Sequence, residues 1–216
     1  MKRLVALAAL LASPAARADP SNTTLVLVGA GLALPDYAIG VSVHEGSHAI
    51  MAKIVGATVD EVHLFPPGID PHAHVFRFGW TYVHGLDTSA DKTLFYLAPK
   101  FTDLILLGGF AALVYTGAWP HDRYGQLALT VAGTGLWVDF AKDVVLLSPY
   151  NDVSQAFREL GIVGWKRALP ARLLYAAIDV GLAFVVARGY ERTFDRTSTT
   201  SATATPIVAP VFSVSF

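Results

Sequence analysis

The chain has no cysteine, few charges and no basic run, and each shortage removes a class of protein. Without cysteine there is no disulfide scaffold, no thiolate metal site and no cysteine nucleophile, which leaves histidine and carboxylate as the strong metal ligands. Charged residues are 15% of the 216 positions and the net charge is −1, so no basic patch is available for nucleic acid and no nucleic-acid partner is expected. What fills the space is apolar. Residues of that kind make up 53% of the chain and the mean hydropathy is positive, outside the usual range for a soluble domain. The composition points to a multi-pass membrane protein whose first partner is the lipid bilayer.

The amino terminus has the form of a secretory signal. Lys2 and Arg3 precede the apolar run Leu4 to Ala12, and Ala16-Arg17-Ala18 supplies a small-x-small cleavage site, giving a signal peptide over 1–18. Four apolar segments follow, at about 23–51, 94–119, 124–147 and 168–187, none of them free of charge. Pro35 is expected to kink or divide the first, and Gly108-Gly109 offers the second a place for close helix contact. Between the first two segments, 58–82 is rich in β-branched and aromatic residues and broken by Pro66-Pro67-Gly68 and Asp70-Pro71, which predicts two or three short strands. The fold expected is therefore mainly α, a transmembrane bundle of about four spanning helices after a signal peptide, with a small β-hairpin or sheet between the first two. A membrane-embedded domain covers 19–196, and the Ser/Thr/Ala-rich 197–216 reads as a flexible tail. Loop lysines and arginines, slightly more numerous after segments one and three, favour a cytoplasmic location for those loops.

Within the first segment stands His44-Glu45-Gly46-Ser47-His48, an H-E-x-x-H. On a helix the two histidines share a face and can reach one metal ion, with zinc the leading candidate, while Glu45 lies where it can take a proton from water. Ionisable groups at membrane depth cost free energy unless they do something, which separates this pentapeptide from an accidental one. The other histidines carry less chemistry. His72 and His74 alternate on a predicted strand and fit an exposed polar face; His63, His84 and His121 read as surface or interfacial residues. Trp80, Trp119, Trp137 and Trp165 read as interfacial anchors or helix packing.

From Val43 to Phe65 the chain resembles the site-2 protease family of intramembrane zinc metalloproteases. The residues that carry the likeness are His44-Glu45-Gly46-Ser47-His48-Ala49, then Gly56-Ala57, then Glu61-Val62-His63-Leu64-Phe65-Pro66; Leu97-Ala98-Pro99-Lys100 looks like the start of that family's next core helix. The resemblance implies a zinc endopeptidase of the inner membrane of a bacterium, acting on a membrane-protein substrate, with His44 and His48 as ligands and Glu45 as the catalytic base. The family's third ligand is an aspartate in an Asn-Pro-Asp-Gly or Leu-Asp-Gly setting, and neither occurs here. Pro149-Tyr150-Asn151-Asp152 is the nearest match, making Asp152 the third ligand and Asn151 a polar contact for substrate or water. Asp152 with Gln155 also fits an N-cap and capping box opening a helix over 153–160, in which case Asp139 or Asp143 is the ligand; the plainer role for those two is an intrahelical pair with Lys142. A membrane protein that carries metal ions or protons without hydrolysis, and a homologue that has lost catalysis, are the other functions the same residues fit.

Overall fold

In a computed structural model, residues 19–72, 74–145 and 150–195 are described. The signal expected at 1–18 and the tail expected at 197–216 lie outside them. The described chain is mainly helical. Helix α1 spans Asn22–Ile54, α2 Ser89–Tyr115, α3 Arg123–Val145, α4 Asp152–Glu159 and α5 Trp165–Phe194; strands β1 (Thr58–His63), β2 (Gly68–Ile69), β3 (Phe76–Arg77) and β4 (Trp80–His84) lie between α1 and α2.

Local chemistry sets the ends of these elements. Ser21 caps α1 by accepting from the Thr24 N–H at 3.1 Å, and Gly56, at φ +86°, takes the left-handed turn that ends the helix and feeds β1. Helix α2 opens with a capping box in which Thr88 and Asp91 satisfy each other's backbone N–H. Pro35 does not divide the first segment, because α1 runs through it as a single 33-residue helix. The strand-rich stretch forms two nested antiparallel pairs, β1 with β4 in the register His63↔Trp80 to Thr58↔His84, and β2 with β3 inside the loop. Asp70 fastens the inner pair to the outer: wholly buried, it accepts from the Tyr82 hydroxyl and from the His72 N–H at 2.9 Å, and pairs with Arg77 at 3.0 Å. His72 and His74 are exposed in this loop and not on a strand, and Trp80, expected at an interface, is buried against His63 with ring centroids 3.8 Å apart.

Helices α1, α2 and α5 are each long and apolar enough to cross a membrane. Their outward faces carry Leu27, Ile105 and Phe184 at 69%, 73% and 70% exposure, large apolar side chains suited to lipid and not to water. The fourth expected span, α3, has the length at 23 residues but is diluted by Gln126, Thr130, Thr134, Asp139, Lys142 and Asp143, and is not among the helices that qualify. Those polar groups turn towards the other helices. Gln126, Thr130 and Asp143 are buried.

The core between α2, α3 and α5 is built from Leu107, Phe110, Val114, Trp119, Phe140 and Val186. Phe110 fits only because two glycines face it, since a Cβ on Gly133 would sit 2.9 Å from its ring and one on Gly189 2.7 Å. The Gly108-Gly109 pair, by contrast, meets nothing within 4 Å and mediates no helix contact. At one end of the bundle the buried Arg123 guanidinium donates to the Thr193 carbonyl at 3.0 Å and to the Pro20 carbonyl and Asn22 side chain. It thereby ties the starts of α1 and α3 to the end of α5. The histidine motif lies at the opposite end of α1.

This packing sets an expectation for stability. Gly133→Ala and Gly189→Ala should each destabilise the protein by about 1–3 kcal/mol through overpacking. Phe110→Leu added to Gly133→Ala should recover part of the loss, so thermal unfolding of the double variant should fall short of the sum of the single effects.

Candidate metal centre

Three elements deliver the groups of the site. The motif turn of α1 projects His44 and His48 from one face, both buried, at 8% and 5% exposure. Helix α4 brings Asp152 to them from 108 residues further along the chain, its Oδ2 3.1 Å from His44 Nε2 and 3.4 Å from His48 Nε2. One ligand atom from each of the three lies within 4.8 Å of the others, the sole such group of His, Asp or Glu among the described residues. A tetrahedral ion with ligands near 2.0–2.1 Å places them about 3.3 Å apart, the spacing seen to Asp152.

The contacts of the other ring nitrogens are compatible with a metal ion at Nε2. His48 Nδ1 lies 2.8 Å from the Phe95 carbonyl, a group that only accepts, so that nitrogen carries the ring proton. His44 Nδ1 lies 2.8 Å from Asp139 Oδ2, also an acceptor. A neutral imidazole has one N–H, and both rings spend it on Nδ1. With both rings neutral, each Nε2 presents a lone pair towards a carboxylate oxygen, a contact that a shared cation, or a proton on Nε2, would satisfy. The residues present fit a zinc ion.

The competing sequence readings resolve in physical terms. Asn151, not Asp152, caps α4, accepting from the Ser154 N–H at 2.7 Å, and Gln155 donates to the Tyr150 carbonyl, so no Asp152–Gln155 capping box forms. Shifting the cap by one residue leaves the Asp152 carboxylate on the first turn, where it turns to the histidines. Asn151 accordingly serves as the cap through its Oδ1. Asp139 and Asp143 are not in the metal group. Asp139 stands behind His44 and pairs with Lys142, as its spacing on α3 predicts, while Asp143 lies 3.0 Å from Lys100 Nζ.

Lys100, marked in the sequence only as the end of Leu97-Ala98-Pro99-Lys100, is buried behind the centre. Its ammonium, 3% exposed, donates to the Asp139 carbonyl at 2.6 Å and to Asp139 Oδ2 at 3.1 Å, with Asp103 Oδ2 at 3.7 Å. It thus supports from behind the carboxylate that orients His44. The only signal for it was a lysine directly after Pro99 at the head of an apolar segment.

Glu45, 7% exposed, is supported by the hairpin. Thr81 Oγ1 on β4 donates to Glu45 Oε2 at 2.8 Å. Gly79, just before β4, allows the approach: a Cβ there would lie 2.9 Å from Glu45 Cγ, 2.8 Å from Val41 and 2.9 Å from the His63 carbonyl. The strands expected between the first two apolar segments are therefore the back wall of the motif.

If the three side chains hold zinc, His44→Ala, His48→Ala and Asp152→Ala should each release it on dialysis, and elemental analysis of the purified protein will show this. Asn151→Ala should keep the metal and cost about 0.5–2 kcal/mol of stability through its lost cap. Asp139→Asn should weaken metal affinity by about 10–100-fold without abolishing it. Comparisons with protein-family models, with curated proteins and with solved structures find no match to this chain, so its chemistry is read from the site itself.

Proposed function

We propose that this chain is an integral-membrane zinc endopeptidase of the site-2 protease type, hydrolysing a peptide bond in or near a membrane-spanning segment of another protein. The observation that carries the reading is the convergence of His44 Nε2, His48 Nε2 and the Asp152 carboxylate, with a buried Glu45 one residue from the first histidine. His44, His48 and Asp152 would hold the ion and leave the fourth position of a tetrahedral site open, as in catalytic zinc centres. Zinc bound there supplies a Lewis acid for the scissile carbonyl and acidifies water.

The chain's own residues do the rest. Glu45 takes the proton of the attacking water and returns it to the leaving amine, with Thr81 fixing one carboxylate oxygen so that the other faces the reaction. Asp139 and the Phe95 carbonyl keep both imidazoles in the tautomer that frees Nε2. A substrate helix has its amides paired internally and must open to expose a carbonyl. The β1–β4 sheet, two strands wide, leaves an unpaired edge on each strand that can take the opened segment as a further strand. In this reading α3 completes the bundle as a fourth, inner span, and the motif lies near the cytoplasmic face of a bacterial inner membrane.

Glu45→Gln decides between hydrolysis and simple metal carriage. With a membrane-peptide substrate in lipid, turnover should fall at least about 100-fold while zinc stays bound; loss of the metal together with function points instead to carriage, with Glu45 as a ligand. Thr81→Val should keep zinc and lower turnover about tenfold, the cost of one hydrogen bond to a charged group. Mapped cleavage should fall in the cytoplasmic end of the substrate helix and be faster where glycine, proline or asparagine lowers the cost of opening it.

A further inference from the structure

One face of α1 is bordered by a cavity of about 640 Å³ that opens between α1 and α3. Small residues on α1 make it, Gly29 and Ala33 among them, and Gly135 and Val138 line it from α3. It follows α1 from Leu25 to Val41, about 24 Å at the rise of an α-helix, which is most of the hydrocarbon thickness of a bilayer. Asp139 and Lys142 close the end at which Asp139 accepts from His44, so the groove is continuous with the metal centre.

Beyond Thr134 and Tyr190, whose hydroxyls bond to each other at 3.1 Å, Asp36 and Tyr37 interrupt this apolar lining. Asp36 stands in a helix long and apolar enough to span a membrane, and among the described residues it has no hydrogen bond and no ion pair. The Tyr37 hydroxyl beside it in sequence is buried without a hydrogen-bond partner, its ring held edge-on by Phe78 at 5.6 Å. Room is kept for the carboxylate, because a Cβ on Gly135 would fall 2.3 Å from Asp36 Oδ2. An unpaired carboxyl at membrane depth is expensive and calls for a partner. The partner that fits is a donor side chain arriving along the groove.

We propose that the groove between α1 and α3 seats the membrane-spanning segment of a polypeptide substrate, and that Asp36, with Tyr37, selects segments carrying a neutral hydrogen-bond donor such as asparagine at that depth. The proposal rests on the endopeptidase reading above. Eight residues separate Asp36 from His44, about 12 Å along the helix. An extended segment covers that distance in about four residues and a helical one in about eight, which sets where the selected donor lies relative to the cut.

The test uses the full chain as its Glu45→Gln variant in lipid nanodiscs, with a photocrosslinking residue in place of Ala33 in the groove or of Leu27 on the outer face. Probes are leucine–alanine helices of about 24 residues, one all-apolar and one with a single central asparagine. Ala33 should capture the asparagine probe in preference to the apolar one by about threefold to thirtyfold, the range for a single interhelical hydrogen bond in a membrane. Asp36→Leu, and independently Gly135→Ala, should bring the ratio to about one. Capture at Leu27 equal to that at Ala33, capture of lipid alone, or a preference that survives Asp36→Leu overturns the assignment. Binding is read without turnover, so the two readings fail separately. An Asp36-dependent preference in a protein whose unaltered chain cuts neither probe upholds the groove and removes the protease. Cutting that ignores Asp36 does the reverse.

Discussion

Enclosing a lysine with two buried aspartates and a third half-buried one among apolar helices is the constraint around which this molecule is organised. Lys100 is enclosed with Asp103 and Asp143 and pairs with the half-buried Asp139, and its contacts with Asp139 draw α2 against α3 just behind the motif turn of α1. Breaking such a set by removing one member leaves an uncompensated charge in a medium that cannot solvate it, a far larger penalty than the intact set contributes in stability. The set therefore fixes geometry. Asp139 can hold His44 in one orientation because Lys100 and Lys142 hold Asp139, and the rotation of that ring decides where its Nε2 points.

The hairpin imposes the same discipline from the opposite side. It buries little apolar surface of its own, its core contact being Ala52, Ala57 and Phe95 beneath Val59 and Val83. Its value lies in Gly79 and Thr81, one allowing the strand to press against α1 and the other fixing the Glu45 carboxylate. Helices, with side chains on all sides, cannot approach one another so closely without a matching glycine. A strand entered through glycine can.

How much of this the sequence displays follows from the range of each interaction. The motif, the helix over its flanks, the short strands and the outward apolar faces all depend on residues within a few positions of one another, and periodicity and turn chemistry reveal them. The i,i+3 pair of Asp139 and Lys142 was legible for the same reason. The contacts of Lys100 with Asp139 and Asp143 join separate helices, and nothing in local spacing says which faces meet. The glycines illustrate this: Gly108-Gly109 looks like a contact by composition and faces open space, whereas isolated Gly133 and Gly189 make the contact because Phe110 happens to face them. At Asp152 the difference was a single position. Asn151 and Asp152 are both good caps, and only the placement of α4 on α2 decides which one caps the helix and which turns inward.

That Asp152 comes from α4 has a consequence for the order in which the chain is made. Histidines and glutamate of the motif leave the ribosome first, and the 108 residues separating His44 from Asp152 must be synthesised and threaded past the membrane before the set is complete. A nascent chain that has inserted only its first helix carries His44, Glu45 and His48 without the third member of the candidate metal group. In the proposed function, the distant carboxylate would keep the centre incomplete until α4 has joined α1.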